Sequence, residues 1–261
     1  MKPFMWVFPF IFSVLLLWQC SDLERDNPLD PANPSSSRPS VAVVEAFVNT
    51  SAASGVNYNT VALQALDSLK TIFGDRLLVI HYHRNTRDFT DSLAVEPLVE
   101  SRYTAYTTAY DTQRFKGVPD LFVNGPEMRL QGASDSKGVV QRAMPFINTV
   151  LGSDSYFTLE ADITEENGGF SGRVRVARLG NRSAENLSLL VVLTSDFGPR
   201  GGYSVVRMLP PITVERLQAG AYKSYSYEIE KRNGRGEHIF FLLISGESGR
   251  IEFALGAGGG P

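Results

Sequence analysis

Gly117-Val118-Pro119-Asp120-Leu121-Phe122-Val123-Asn124-Gly125 is the stretch on which the fold turns. Gly-Val-Pro cannot continue a helix, because proline lacks an N–H and disfavours helical geometry in the residue before it. Leu121-Phe122-Val123 is a short apolar run and reads as a strand. Asn124-Gly125 is a hairpin turn signal, and Met128-Arg129-Leu130 can pair back. A hairpin entered through a proline is therefore expected near the middle of the chain.

Upstream, Val41-Ala42-Val43-Val44-Glu45-Ala46-Phe47-Val48 is β-rich and long enough for one buried strand. Residues 49–57 are small and polar, hence a loop. Asn59 or Thr60 can cap a helix, whose apolar stripe is Val61, Leu63, Leu66, Leu69, Ile72 and Phe73, and Gly74 ends it. Leu77 to His83 is a second strand. Residues 93–112 read as a helix carrying Tyr103, Tyr106 and Tyr110, and 137–151 as a closing helix. The order β-α-β-α-β-β-α predicts a mixed sheet covered by helices.

Past Gly152 the pattern changes. The runs 157–163, 172–179, 187–194, 222–229, 238–244 and 251–255 are short and β-like, and turn residues such as Asn233-Gly234 and Ser245-Gly246 separate several of them. No helix pattern intervenes, so an antiparallel β-sandwich is expected over 153–256, with a disordered tail at 257–261.

The N-terminus carries an address. Lys2 precedes an apolar stretch, Phe4 to Trp18, that is too short to span a bilayer. It stops at Cys20, the one cysteine of the chain. Residues 1–19 read as a lipoprotein signal peptide and Cys20 as the lipidated residue. Residues 20–40, with prolines at 28, 31, 34 and 39, read as a tether. The mature chain, about 240 residues, is long enough for one large or two ordinary domains. The formal charge is −3, one unit more negative without Lys2, so nucleic acid is not an expected partner.

Taken together, the strand 41–48, the helix ending in Phe73-Gly74-Asp75-Arg76, the strand ending in Tyr82-His83 and the Gly117-Val118-Pro119 hairpin resemble a thioredoxin fold. With the β-rich second half, and with Val206-Arg207-Met208-Leu209-Pro210, the chain resembles outer-membrane lipoproteins that join a thioredoxin-like domain (41–152) to a C-terminal β-sandwich (153–256). That resemblance implies a membrane partner through the lipid anchor, an outer-membrane location, and a cis Val118–Pro119 bond whose backbone edge could take an extended peptide or protein partner. Relatives carry Cys-x-x-Cys before the first long helix. Here the matching positions, Ala52 and Gly55 counted from the strand or Val56 and Asn59 counted from Gly74, hold none. Thiol–disulfide exchange at this loop is excluded. The reading is a redox-inactive binding or scaffolding module without a cofactor or a metal.

One alternative stays open. His81 and His83 share a strand face and could bind a metal, with Asp88 and Asp91 nearby in sequence and His238 far away, or could serve a hydrolytic serine, Ser51 or Ser54, on the degenerate loop.

Overall fold

The computed structural model describes residues 27–33, 36–51, 58–95, 97–108, 117–166, 168–198, 203–231 and 235–257. Cys20, Ala52, Ser54, Gly55, Val56 and Tyr110 lie outside them. Among the described residues, no helix is long and apolar enough to cross a membrane.

A two-residue strand, β1 (Arg38–Pro39), leads into β2 (Ala42–Val48), every residue of which is buried. The helix α1 (Tyr58–Phe73) begins one residue before the expected cap, and Asn59 instead accepts from the Asn49 N–H at the end of β2. Leu63, Leu66 and Leu69 form its buried stripe. Gly74, at φ +58°, turns the chain into β3 (Leu77–His83), which runs parallel to β2. Lys70 Nζ closes the turn by donating to the Gly74 and Leu77 carbonyls, each at 2.8 Å.

The second helix, α2 (Leu98–Thr108), begins later than the expected start at residue 93, and the expected residues 109–112 lie outside the described ones. The hairpin follows as read: β4 (Asp120–Val123) antiparallel to β2, then β5 (Met128–Gln131). Next comes α3 (Ser136–Leu151), whose first turn is capped by Asp135, accepting from the Gly138 N–H at 2.6 Å. Helices α1 and α3 cover one face of this sheet, enclosing Val44, Ala46, Leu121 and Val123 with their own apolar stripes.

Beyond α3 lie β6 (Asp154–Ser155), β7 (Phe157–Glu166), β8 (Gly169–Arg178), β9 (Leu187–Asp196), β10 (Tyr203–Met208), β11 (Ile212–Val214), β12 (Tyr222–Glu230), β13 (Arg235–Ser245) and β14 (Ile251–Ala257). Strands β10 and β11 were not read from the sequence, and Ala257, expected in the tail, ends β14.

The expected division at Gly152 is not a break in the sheet. β10 lies parallel to β3, with Ser204 opposite His81, so one nine-stranded sheet runs β14-β13-β9-β10-β3-β2-β4-β5, with β11 on β9. Strands of both halves share a core in which Val43, Phe47, Tyr82 and Phe122 meet Leu190, Val192, Phe240 and Leu242. The sheet therefore folds back on itself. Its outer face in the second half packs Leu189, Val191 and Phe241 against the separate sheet β12-β8-β7. The result is a thioredoxin-like, β-rich fold in successive layers: the helix pair, the two arms of the large sheet, and the three-stranded sheet.

Residues 27–40, expected as a tether, rest on the body where they are described. β1 pairs with β6, Asn33, Ser36 and Ser40 are buried, and a Cβ on Gly220 would sit 2.3 Å from the Leu29 carbonyl.

The hairpin tip is a second joint between the halves. Asn124 Oδ1 accepts from the Val43 N–H at 2.6 Å, and the Asn124 carbonyl accepts from the Ile251 N–H at 3.0 Å. Both turn residues have positive φ, 52° at Asn124 and 105° at Gly125. A Cβ on Gly125 would stand 2.6 Å from the Gly249 carbonyl oxygen. Gly125→Ala is therefore expected to lower stability by about 2 kcal/mol or more, through backbone strain and a clash with main chain that cannot rotate away. A loss under about 0.5 kcal/mol in urea unfolding would show that this joint yields easily.

Candidate functional site

His83 lies at the C-terminal end of β3, within reach of the start of the degenerate loop. Its Nδ1 is 2.9 Å from Asp91 Oδ2, and its Nε2 is 2.7 Å from Ser204 Oγ on β10. Asp91 also accepts from the Thr50 N–H at 2.6 Å and the Leu93 N–H at 2.9 Å. Burial pushes the Asp91 carboxyl up, but the bond to His83 and the N–H groups of Leu93 and Thr50 outweigh it and hold it down at about 2.

The order Ser–His–Asp is that of an activated nucleophile. Here it has no access. Ser204 is 0 % exposed, His83 1 % and Asp91 4 %. The chain of bonds pins β3 to β10 across the two halves. Ser51, the loop serine placed beside His83 as a nucleophile, turns to Asn49 instead. The hydrolytic arrangement through His83 and the loop serines is thus not assembled by the described residues. No three His, Cys, Asp or Glu side chains converge as metal ligands among them either.

The Val118–Pro119 bond is cis. Val118 is half-buried against the shared core, and the Pro119 carbonyl accepts from the Gly132 N–H at 3.0 Å. Part of the edge that a peptide would use is already paired within the chain.

His81, two residues before His83, faces a different environment. It lines a cavity of about 640 Å³, open on one side, between α1 and the ends of β3, β9, β10, β13 and β14. Leu63, Leu66, Val79 and Phe240 make its floor. His238 lies on the far side, with the Tyr203 ring edge-on at 4.8 Å. Burial lowers the His238 imidazole below its ordinary value; nearby Asp196 opposes that, and Lys70 adds to it. The strand order β3-β10-β9-β13 thus sets around one cavity two histidines that are 157 positions apart in the numbering. Neither Tyr203 nor Asp196 stood out in the sequence: Tyr203 opens β10, which was not read, and Asp196 ends β9 two residues beyond the expected run 187–194.

Beneath α2 lies a closed polar cluster. Glu45, 0 % exposed, accepts from Arg102 Nε at 2.6 Å and Nη2 at 2.8 Å, and from the Tyr106 hydroxyl. Asp120 holds Arg129 in the same two-point way and accepts from the Tyr103 hydroxyl. Phe47 stacks on Tyr82 at 4.9 Å between these pairs. Tyr103 and Tyr106 are packing residues, as their helical spacing indicates. Its carboxylates are fully buried, and the Glu45–Arg102 pair ties α2 to β2 of the sheet.

No family model and no curated protein matches the chain. Among solved structures it is similar to HBP35 of Porphyromonas gingivalis, with a TM-score of 0.63 at 12% identity, over 85% of this chain and 76% of that one. Partial likenesses to Bacteroides uniformis β-glucuronidase 2 (17% identity, 40% of this chain and 13% of that one) and to the sporulation control protein Spo0M of Bacillus subtilis (10%, 39% and 47%) have TM-scores of 0.28 and carry no argument. The similarity to HBP35 is one of fold, and it extends over both halves of the chain.

Proposed function

We propose that this chain is a lipid-anchored binding module of the bacterial outer membrane, without thiol chemistry, whose ligand is a small molecule held in the cavity between α1 and the C-terminal strands. The thioredoxin-like half and its β-sandwich extension act as one body, because the cavity needs walls from both. The observation that carries this reading is the cavity itself. It has the volume of a small-molecule site, an apolar floor and a few polar groups, His81, His238 and Tyr203, set around it. The anchor rests on Cys20 and the apolar stretch before it. The absence of thiol chemistry follows from a single cysteine, which the lipid would consume.

Native mass spectrometry of the protein purified from its own cells tests both parts. The expected result is a chain that begins at an acylated Cys20 and retains a small molecule. A mature chain with an unmodified Cys20 would overturn the anchor. A bare polypeptide mass, from membranes kept under non-denaturing conditions, would overturn the cavity as a ligand site.

A further inference from the structure

We infer that the ligand of this cavity is an amphiphile with an apolar body and a cationic head, an inference that rests on the binding reading above and narrows it. The floor is hydrocarbon and aromatic, from Leu63, Leu66, Val79 and Phe240, and would take an apolar body by excluding water. The rim is unbalanced. Among the described residues, Asp67, Asp75 and Asp196 line it against a single ammonium, Lys70, whose Nζ is already engaged by two carbonyls and stands 3.9 Å from Asp75. Asp67 and Asp196 make no ion pair among the described residues, and Asp196 spends only Oδ1 on the Gly198 N–H. Partial burial raises the Asp67 carboxyl, as expected of a carboxylate with no cation beside it.

The other groups at the opening agree in sign. His238 is lowered by burial and so is neutral at pH 7, leaving its ring an acceptor or a donor but not a competing cation. Tyr203, 42 % exposed, offers an aromatic face of the kind that attracts ammonium groups. An anionic head would meet two unpaired carboxylates. A cationic head would meet them together with a π face.

Three dyes with one body separate head from cavity: diphenylhexatriene carrying a trimethylammonium group, the unsubstituted dye, and the dye carrying a propionate. Fluorescence titration of the mature protein is expected to rank them in that order, with at least about tenfold between the cationic and anionic forms at low salt. Asp67→Asn with Asp196→Asn, both at the surface, is expected to erase the preference while leaving the unsubstituted dye bound. Gly256→Leu, whose Cβ would stand 3.2 Å from the Leu78 and Phe240 side chains of the cavity lining, is expected to abolish binding of all three. Equal affinities, or a preference for the propionate, would overturn the cationic head; if Gly256→Leu still blocked the dyes, the cavity would stand as the site. Failure of every dye to bind the unaltered protein would overturn the cavity reading and this inference together.

Discussion

Glu45→Gln is expected to destabilise the protein by about 3–5 kcal/mol, a large part of the stability of an ordinary fold. Glu45 is fully buried on β2, and the Arg102 side chain beside it is only 11 % exposed. Burial alone would lower the Arg102 guanidinium; the Glu45 carboxylate more than reverses that and holds it well above its ordinary value. Arginine does not lose its proton in proteins. Neutralising Glu45 therefore leaves a cation in a desolvated site rather than a neutral base. The Tyr106 hydroxyl, which donates to the same carboxylate, loses its charged acceptor as well. Replacing both partners, Glu45→Met with Arg102→Met, is expected to recover most of the loss, since the cost lies in the orphaned charge and not in the missing attraction. Urea unfolding of the three proteins decides it. A single-variant loss below about 1 kcal/mol would mean that water reaches Arg102.

The second large effect is pH-dependent. Asp91 titrates at about 2 in the folded chain against an ordinary value of 3.8. A depressed carboxyl contributes stability that is complete above the unfolded value and is lost as pH falls through the folded one. The difference is worth about 2.5 kcal/mol at neutral pH. Asp91→Asn is accordingly expected to lose about that much at pH 7. The gap between the two proteins should begin to close below about pH 5, be mostly gone by about pH 2 and vanish near pH 1. Unfolding free energies at pH 7, 4 and 2.5 would show it. A gap that did not change with pH would mean that Asp91 acts through shape alone and not through its charge.

The first half of the fold was legible because its signals are local. Apolar runs gave β2 and β3, the stripe and Gly74 gave α1, and Gly-Val-Pro with Asn-Gly gave the hairpin, while its cis bond was expected from the family resemblance. The seam was not legible. β10 begins after the glycine-rich stretch 198–202, and its tie to β3 rests on a register pair between residues 81 and 204, which no periodicity can announce. For the same reason His83 and Asp91 could be singled out as polar residues near the loop, but their partner Ser204 could not. His81 and His238 were both visible; their meeting in one cavity depends on the strand order β3-β10-β9-β13 across the seam, a pairing between distant strands. The segment 27–40 misled because proline and serine content reports local stiffness and polarity, not the surface against which a segment comes to rest.

The seam between β3 and β10 also bears on how such a chain can change over generations. A gene cut near Gly152 would yield a first half whose β3 presents bare backbone at His81, and whose inner aromatic core loses the strands packed on it. The second half would be left with β10 in the same condition. Neither piece is a cassette that recombination can pass intact to another protein, although the sequence reads as two modules laid end to end. The two halves are expected to descend together, with substitutions at His83, Ser204, Asn124 and Ile251 constrained as a group.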